Sequence, residues 1–371
     1  MTPTPKAEPP RFRLADVVRS FGAEVRRGAA LLYQQGRALL DIERCRTAAL
    51  GGHSELYDCG HVVTAYNSCR SRSCPRCQAF KARDWVVQKA LDLLPIPYFH
   101  VVFTLPKELA DVPPMARATL YNALFRASSA TLLEFGHRHL GGQIGFVSVL
   151  HTWGQALTHH PHVHCVVAGG GWDRKSKVFK KARRGFLFSV GAMSAVFRGK
   201  LLADLQKRGL PGLDGATLAR VLAAASRHNW VVYSKKPFGG PKQVLRYLAR
   251  YTHRIAISEH RLRNVTEKTV TFDWKDYRDG KTKQMTLPGA EFLRRFLQHV
   301  PVRGCTRVRS FGFLANSGKR ENLLGIRAAL DAAAPTPKPK RVCVCPVCGV
   351  GVLVTRQMLA PWTPLPRSDT S

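Results

Sequence analysis

Short apolar runs in the central chain alternate with stretches of helical period. Residues 98–105 (YFHVVFTL), 144–153 (IGFVSVLHTW) and 162–168 (HVHCVVA) predict strands, rich in β-branched and aromatic residues. The last two are joined by a short polar connection, residues 154–161 (GQALTHHP). Residues 114–135 predict a helix. Further strands are expected at 230–234, 254–258 and 265–274. A helix is expected at 241–253, preceded by Gly-Gly and with Pro at its first turn. Short connections and the lack of a regular βαβ alternation predict an α+β fold with a central antiparallel or mixed sheet and helices beside it.

The pattern divides the chain into three stretches. Residues 1–95 hold a first cysteine cluster, residues 96–325 hold the strands and helices above, and residues 326–371 pass through a Pro/Lys linker into a cysteine-containing tail. No run of about 18 apolar residues predicts a membrane span, and the N-terminal segment carries no apolar stretch of the secretory kind.

Charge changes the picture. Lys and Arg number 58 against 24 Asp and Glu, a formal net charge of +34 over 371 residues. Such a surface repels itself unless it faces a polyanion, so nucleic acid is the expected partner. With 45% apolar residues the chain still has material for a packed core, which excludes a wholly disordered basic protein. Ten cysteines are clustered rather than spread, five between Cys45 and Cys77 and three between Cys343 and Cys348. Outside an oxidising compartment that clustering favours metal sites over disulfides.

The segment His160-Pro161-His162-Val163-His164 is the most informative in the chain. Alternate residues of a strand project from one face, so His160, His162 and His164 share a side. His151 ends the preceding predicted strand and comes near them if the two strands pair. Imidazoles gathered on one face repel as cations but agree as neutral metal ligands. Imidazole alone suits zinc, copper or iron, so the metal stays open at this point. A solvated polar face is the competing reading. It fits poorly, because Cys165, Val166 and Val167 continue the strand as a buried one.

In the predicted helix 241–253, Tyr247 and Tyr251 stand at i and i+4, one turn apart on one face. Arg250 and Arg254 lie on the neighbouring polar side, where guanidinium groups bind phosphate. Taken alone, aromatic residues at this spacing would be ordinary core packing.

Cys74-Pro-Arg-Cys77 is a knuckle. Cys59, Cys69, Cys74 and Cys77 make a plausible four-cysteine structural zinc site, with Cys45, His53 and His61 as alternatives. Arg70, Arg72 and Arg76 decorate the knuckle and suggest that it meets DNA. Cys343, Cys345 and Cys348 look like half a zinc ribbon without an evident fourth ligand. Gly169-Gly170-Gly171 lacks the Lys-Ser/Thr of a phosphate loop, so no nucleotide cofactor is expected. Asp173, Asp273, Asp276 and Asp279 could suggest an acidic catalytic triad, but WKDYRDG reads better as a surface hairpin.

A His-apolar-His strand followed by a two-tyrosine helix resembles the HUH endonucleases. The segments HTWGQALTHHPHVHCVVAGGG, RYLARYTHRIAISEHRL, VTFDWKDYRDG and VRSFGFLANSGKRENLLGIR are similar to the two-tyrosine rolling-circle insertion-sequence transposases. CRTAALGGH and YNSCRSRSCPRCQ are similar to the zinc-binding region of the same family. The resemblance implies an antiparallel HUH nuclease domain preceded by a zinc-binding DNA-recognition domain, in a bacterial, cytoplasmic, DNA-associated protein. It implies nicking and rejoining of single-stranded DNA at transposon ends through a 5′-phosphotyrosine. It further implies Tyr247 and Tyr251 as nucleophiles, with His162, His164 and His151 as ligands of Mg²⁺ or Mn²⁺. The alternatives are a zinc-dependent DNA-binding protein without catalysis, and a replication initiator or relaxase using the same chemistry.

Overall fold

A computed structural model describes residues 9–361 apart from 184, 236–242, 245–246, 248–254, 277, 336–343 and 346. The strands in chain order are β1 (Gly52–Tyr57), β2 (Val62–Tyr66), β3 (Tyr98–Thr104), β4 (Gln143–Trp153), β5 (His159–Asp173), β6 (Val178–Lys181), β7 (Val232–Lys235), β8 (Leu262–Val265), β9 (Thr269–Lys275), β10 (Thr282–Pro288), β11 (Val308–Gly312) and β12 (Leu353–Leu359). Every pairing between them is antiparallel, and helices accompany the sheets, so the α+β expectation holds.

The chain forms two compact units. One is drawn from residues 1–80, 257–301 and 338–371, the other from residues 81–256 and 302–337. This differs from the sequential division read from the sequence, because residues 257–301 return to the N-terminal unit. The reason is non-local packing. Gly289, at the start of the helix Gly289–Leu297, lies so close to Phe21 that a Cβ would sit 2.3 Å from its ring. Gln35 donates its side-chain amide to the carbonyl of Leu297 at 3.0 Å.

In the first unit, β12-β1-β2 form one sheet and β10-β9-β8 another. Residues 265–274 are not one strand as expected. The Thr266 hydroxyl accepts the amides of Lys268 and Thr269, at 3.3 and 2.9 Å, and so makes a turn between β8 and β9. Residues 255–257 are buried but irregular rather than a strand. A short apolar run satisfies burial in either form, and periodicity cannot separate them.

In the second unit, the strand order is β11-β4-β5-β3-β7, with β6 on β5. Alternation gives this sheet two apolar faces. Phe99, Val101, Phe103, Phe146, Leu150, Val163 and Val167 join the core that includes the helix Arg117–Leu140, begun by a short 3-10 turn at Pro114–Ala116. Tyr98, Val147, Val166 and Ala168 face the other way, with Val244, Leu314 and Leu323. The glycine run 169–171 extends β5 beyond its expected end. A Cβ on Gly170 would meet the Phe179 ring at 2.4 Å, so these glycines admit close backbone approach. No helix among the described residues is long and apolar enough to cross a membrane.

Candidate active site and cysteine clusters

Strand register brings the histidines together. His151 of β4 is paired with His162 of β5, and Val149 with His164, so all three imidazoles leave the sheet on one face. Their ligand nitrogens lie within 4.8 Å of one another. The polar connection expected between the two strands is a tight turn, with Gly154 and Thr158 hydrogen-bonded through their backbones at 2.9 Å. His160 is exposed and stands outside the cluster. Its carbonyl accepts a hydrogen bond from Nδ1–H of His162 at 2.7 Å, which leaves Nε2 of that ring as the lone-pair nitrogen. His151 stacks on Trp153 with ring centroids 4.5 Å apart.

One residue of the site was missed in the sequence. His100 of β3 stacks on His164, with centroids 5.2 Å apart, and its Nε2 is 2.9 Å from Nδ1 of His164. The signal was a histidine inside an otherwise apolar strand, at the same parity as Val102, which faces His164 across the ladder. Burial, followed by the charges of Lys235 and His162, lowers the His100 pKa to about 4. Neutral His100 is therefore an acceptor near pH 7. With Nδ1 of His164 engaged by His100, Nε2 is the nitrogen that the His164 ring can offer to an ion.

Tyr247 reaches the same place. Its hydroxyl is hydrogen-bonded to Nε2 of His100 and lies 3.2 Å from Nδ1 of His164. Tyr247 packs half-buried against the core beneath it, and Gln243, one turn earlier, is exposed. Tyr251, Arg250 and Arg254 lie outside the described residues. The acidic triad has no counterpart. Asp273 pairs with Arg263, and Asp276 with Arg278 and Lys283. Asp173 holds a turn through the Lys175 amide.

The cysteines sort into two groups, and their membership differs from the expected one. Cys45, Cys69, Cys74 and Cys77 lie together, with sulfur separations of 3.6 Å for Cys45–Cys77, Cys69–Cys77 and Cys74–Cys45. Four thiolates on zinc at bonds of about 2.3 Å stand roughly 3.8 Å apart, so the spacing fits a tetrahedral ion. It is far from the roughly 2 Å of a disulfide. Cys59, placed in this set by spacing, instead joins Cys345 and Cys348, and Cys45 completes the set. Cys45 follows the helix Tyr33–Arg44, so the fourth sulfur comes from a separate element, which spacing around the knuckle could not reveal. Hydrogen bonds from Cys69 and Cys74 lower the Cys45 thiol to about 7. His53 bonds to Glu55 at 2.9 Å, and His61 stacks on Tyr57, so neither belongs to a cluster. Cys343 lies outside the described residues, while Cys165 and Cys305 are buried core residues.

Beside Cys69, Arg70 and Arg72 line a cavity of about 350 Å³ together with Arg37 and the exposed Tyr33. Arg76 lines a second, smaller one with Arg13, Arg19 and Arg46.

Residues 145–322 match the Y2_Tnp family model, described as "Putative transposase", and residues 17–105 match the IS91-type model described as "Transposase zinc-binding domain". The class is thus a transposase that couples a zinc-binding module to a two-tyrosine domain. Over 395 aligned positions the chain is 41% identical to a protein of Sinorhizobium fredii named "Putative transposase y4qJ", covering 96% of this chain and 98% of that one. It is 32% identical over 336 positions to the "Transposase for insertion sequence element IS801" of Pseudomonas savastanoi pv. phaseolicola, covering 84% and 79% of the two chains. The chain belongs to the two-tyrosine insertion-sequence transposases of the IS91 type. DNA is accordingly its partner, and the cysteine cluster with the matched zinc-binding domain supports a structural zinc ion.

Proposed function

We propose that the protein nicks and rejoins single-stranded DNA at the ends of its element, with Tyr247 and Tyr251 as nucleophiles, as in rolling-circle transposition. The observation that carries this reading is the Tyr247 hydroxyl, 3.2 Å from His164 and hydrogen-bonded to His100, beside the three-histidine face. In the first step the phenol oxygen attacks the scissile phosphorus. The Oη–P bond forms, the P–O3′ bond breaks, and the phenolic proton ends in solvent or on the released 3′ oxygen. A phenol is a good leaving group, so the phosphotyrosine ester retains the energy for rejoining to a 3′-hydroxyl.

The donor set fits a divalent ion, because His151, His162 and His164 converge three imidazoles, and two of these have their Nδ1 engaged elsewhere. Such an ion, Mg²⁺ or Mn²⁺, would neutralise and polarise the scissile phosphate. Three nitrogen donors suit Mn²⁺ better than Mg²⁺, which prefers oxygen. His100 orients the Tyr247 hydroxyl. Arg70, Arg72 and Arg76 of the zinc-binding unit supply phosphate contacts, and Tyr33 offers a face on which a base can stack. Cys45, Cys69, Cys74 and Cys77 are the proposed zinc ligands.

The test is incubation of the full chain with labelled single-stranded DNA from both element ends, with Mn²⁺ or Mg²⁺. A covalent adduct mapping to Tyr247 or Tyr251 is expected. DNA binding without any adduct would favour the non-catalytic reading, and an adduct on a different residue would move the nucleophile elsewhere.

A further inference from the structure

We propose that Cys59, Cys345 and Cys348 hold a second zinc ion, distinct from the four-cysteine site, which fastens the C-terminal strand to the N-terminal zinc-binding unit. The matched zinc-binding domain ends at residue 105 and does not reach the two C-terminal cysteines. The inference does not depend on the chemistry proposed for Tyr247.

Four observations converge on this cluster. The three sulfurs lie within 4.8 Å of one another, and those of Cys59 and Cys345 are 3.5 Å apart. That is close to the separation of two thiolates on one tetrahedral zinc and much longer than a disulfide. Next, Cys345-x-x-Cys348 has the geometry of a metal knuckle. The amide of Val347 donates to the Cys345 sulfur at 3.4 Å, and that of Gly351 donates to the Cys348 sulfur at 3.2 Å. Amides aimed at sulfur stabilise thiolates, the form that binds metal.

Third, each of the two turns that present the sulfurs places a left-handed glycine directly after its cysteine. Cys59 is followed by Gly60 at φ 83°, and Cys348 by Gly349 at φ 73°. Each glycine amide closes its turn, Gly60 onto the carbonyl of Tyr57 at 2.8 Å and Gly349 onto that of Cys345 at 2.9 Å. Both turns need a residue that tolerates the left-handed region. Fourth, Gly351 stands where the turns meet. A Cβ there would lie 3.3 Å from the Cys348 sulfur and 3.5 Å from that of Cys59, so glycine keeps this space open for the sulfurs.

The surroundings assign the site a structural role. Asp58 ties the two turns together, donating its amide to the Val352 carbonyl at 3.3 Å and accepting the Val352 amide at 3.1 Å. Immediately beyond, β12 pairs with β1 from Tyr57–Leu353 to Gly52–Leu359. The ion would thus sit at the open end of this two-strand ladder. Metal binding there is coupled to the folding of the tail. Without an ion, three sulfurs from two distant segments would be held together only by weak hydrogen bonds to sulfur.

The experiment is metal counting on the intact protein. The wild-type chain, purified in the presence of zinc and dialysed, should carry one zinc ion more than Cys345→Ser with Cys348→Ser. Limited proteolysis should then release a C-terminal fragment from the double variant and not from wild type. In parallel, the metal-free wild-type chain is titrated with Co²⁺. The thiolate charge-transfer absorption should saturate at two equivalents, a readout that does not depend on how the variant folds. Saturation at one equivalent, or equal zinc content in wild type and double variant, would overturn the proposal.

Discussion

The hydroxyl of Tyr247 lies 3.2 Å from Nδ1 of His164, although 83 residues separate them in the chain. Between them stands His100, stacked on His164 and hydrogen-bonded to the tyrosine. A strand and a helix that sequence could only suggest as companions therefore meet at the atoms that matter for chemistry.

Removing that hydroxyl tests the reading of the helix. Tyr247→Phe keeps the ring volume and gives up hydrogen bonds worth about 1 kcal/mol net, so the protein should stay folded. Combined with Tyr251→Phe, it should form no covalent adduct on labelled single-stranded DNA. Each single variant should still nick, yet complete transposition should require both, because one phenol cannot hold two 5′ ends. Gel mobility of the adduct and peptide mapping decide this.

Replacing both strand histidines tests the metal reading. His162→Ala with His164→Ala should lower nicking by roughly 10²- to 10⁴-fold, the several kcal/mol expected of a lost phosphate-polarising ion. Affinity for DNA should stay nearly unchanged, since it rests on Lys and Arg contacts to phosphate. Equal nicking by variant and wild type with Mn²⁺ supplied would remove these residues from the site.

The two cysteine groups predict a pattern that spacing does not. Cys45→Ser combined with Cys74→Ser should cost one zinc ion, because both sulfurs belong to one cluster. Cys45→Ser combined with Cys59→Ser should cost two. Loss of the four-cysteine ion should also weaken folding of the N-terminal unit, because ligand loss removes metal-coupled folding energy. Zinc analysis of the two double variants, with circular dichroism, separates the assignments.

Stability should fall as the medium is acidified, partly through His159. Its Nδ1–H donates to the Ala110 carbonyl at 2.7 Å, and its Nε2 takes the Tyr121 hydroxyl at 2.7 Å, a neutral arrangement. Burial, then the charge of Arg117, lowers its pKa from 6.5 to about 4. The unfolded chain therefore binds the proton first. The stabilisation is complete above the unfolded value and is lost as pH falls through the folded one. Between pH 7 and 5 this amounts to about 1–2 kcal/mol. Urea unfolding at the two pH values should show that loss in wild type and a smaller one in His159→Gln. An unchanged difference would remove His159 from the account.

The short apolar runs at 98–105, 144–153 and 162–168, rich in β-branched and aromatic residues, were enough to read three strands of the central sheet, because strands packed on both faces need apolar residues at both parities. The same parity placed His162 and His164 on one side. The positive charge pointed to nucleic acid through electrostatics that need no fold. These readings succeeded because their physics is local or additive.

Tertiary structure decided what depends on distant partners. His151 faces His162 only because β4 and β5 adopt one register among several that their apolar patterns allow. His100 joins the site only because β3 lies beside β5. Cysteine spacing recognised a knuckle and kept Cys45 as an alternative, yet it could not choose Cys45 over Cys59 or tell that Cys59 would turn to residues near the far end of the chain. Nor could it see that residues 257–301 pack with the N-terminal unit. A metal site or a packed helix selects partners by position in space, and sequence separation carries almost no information about that position.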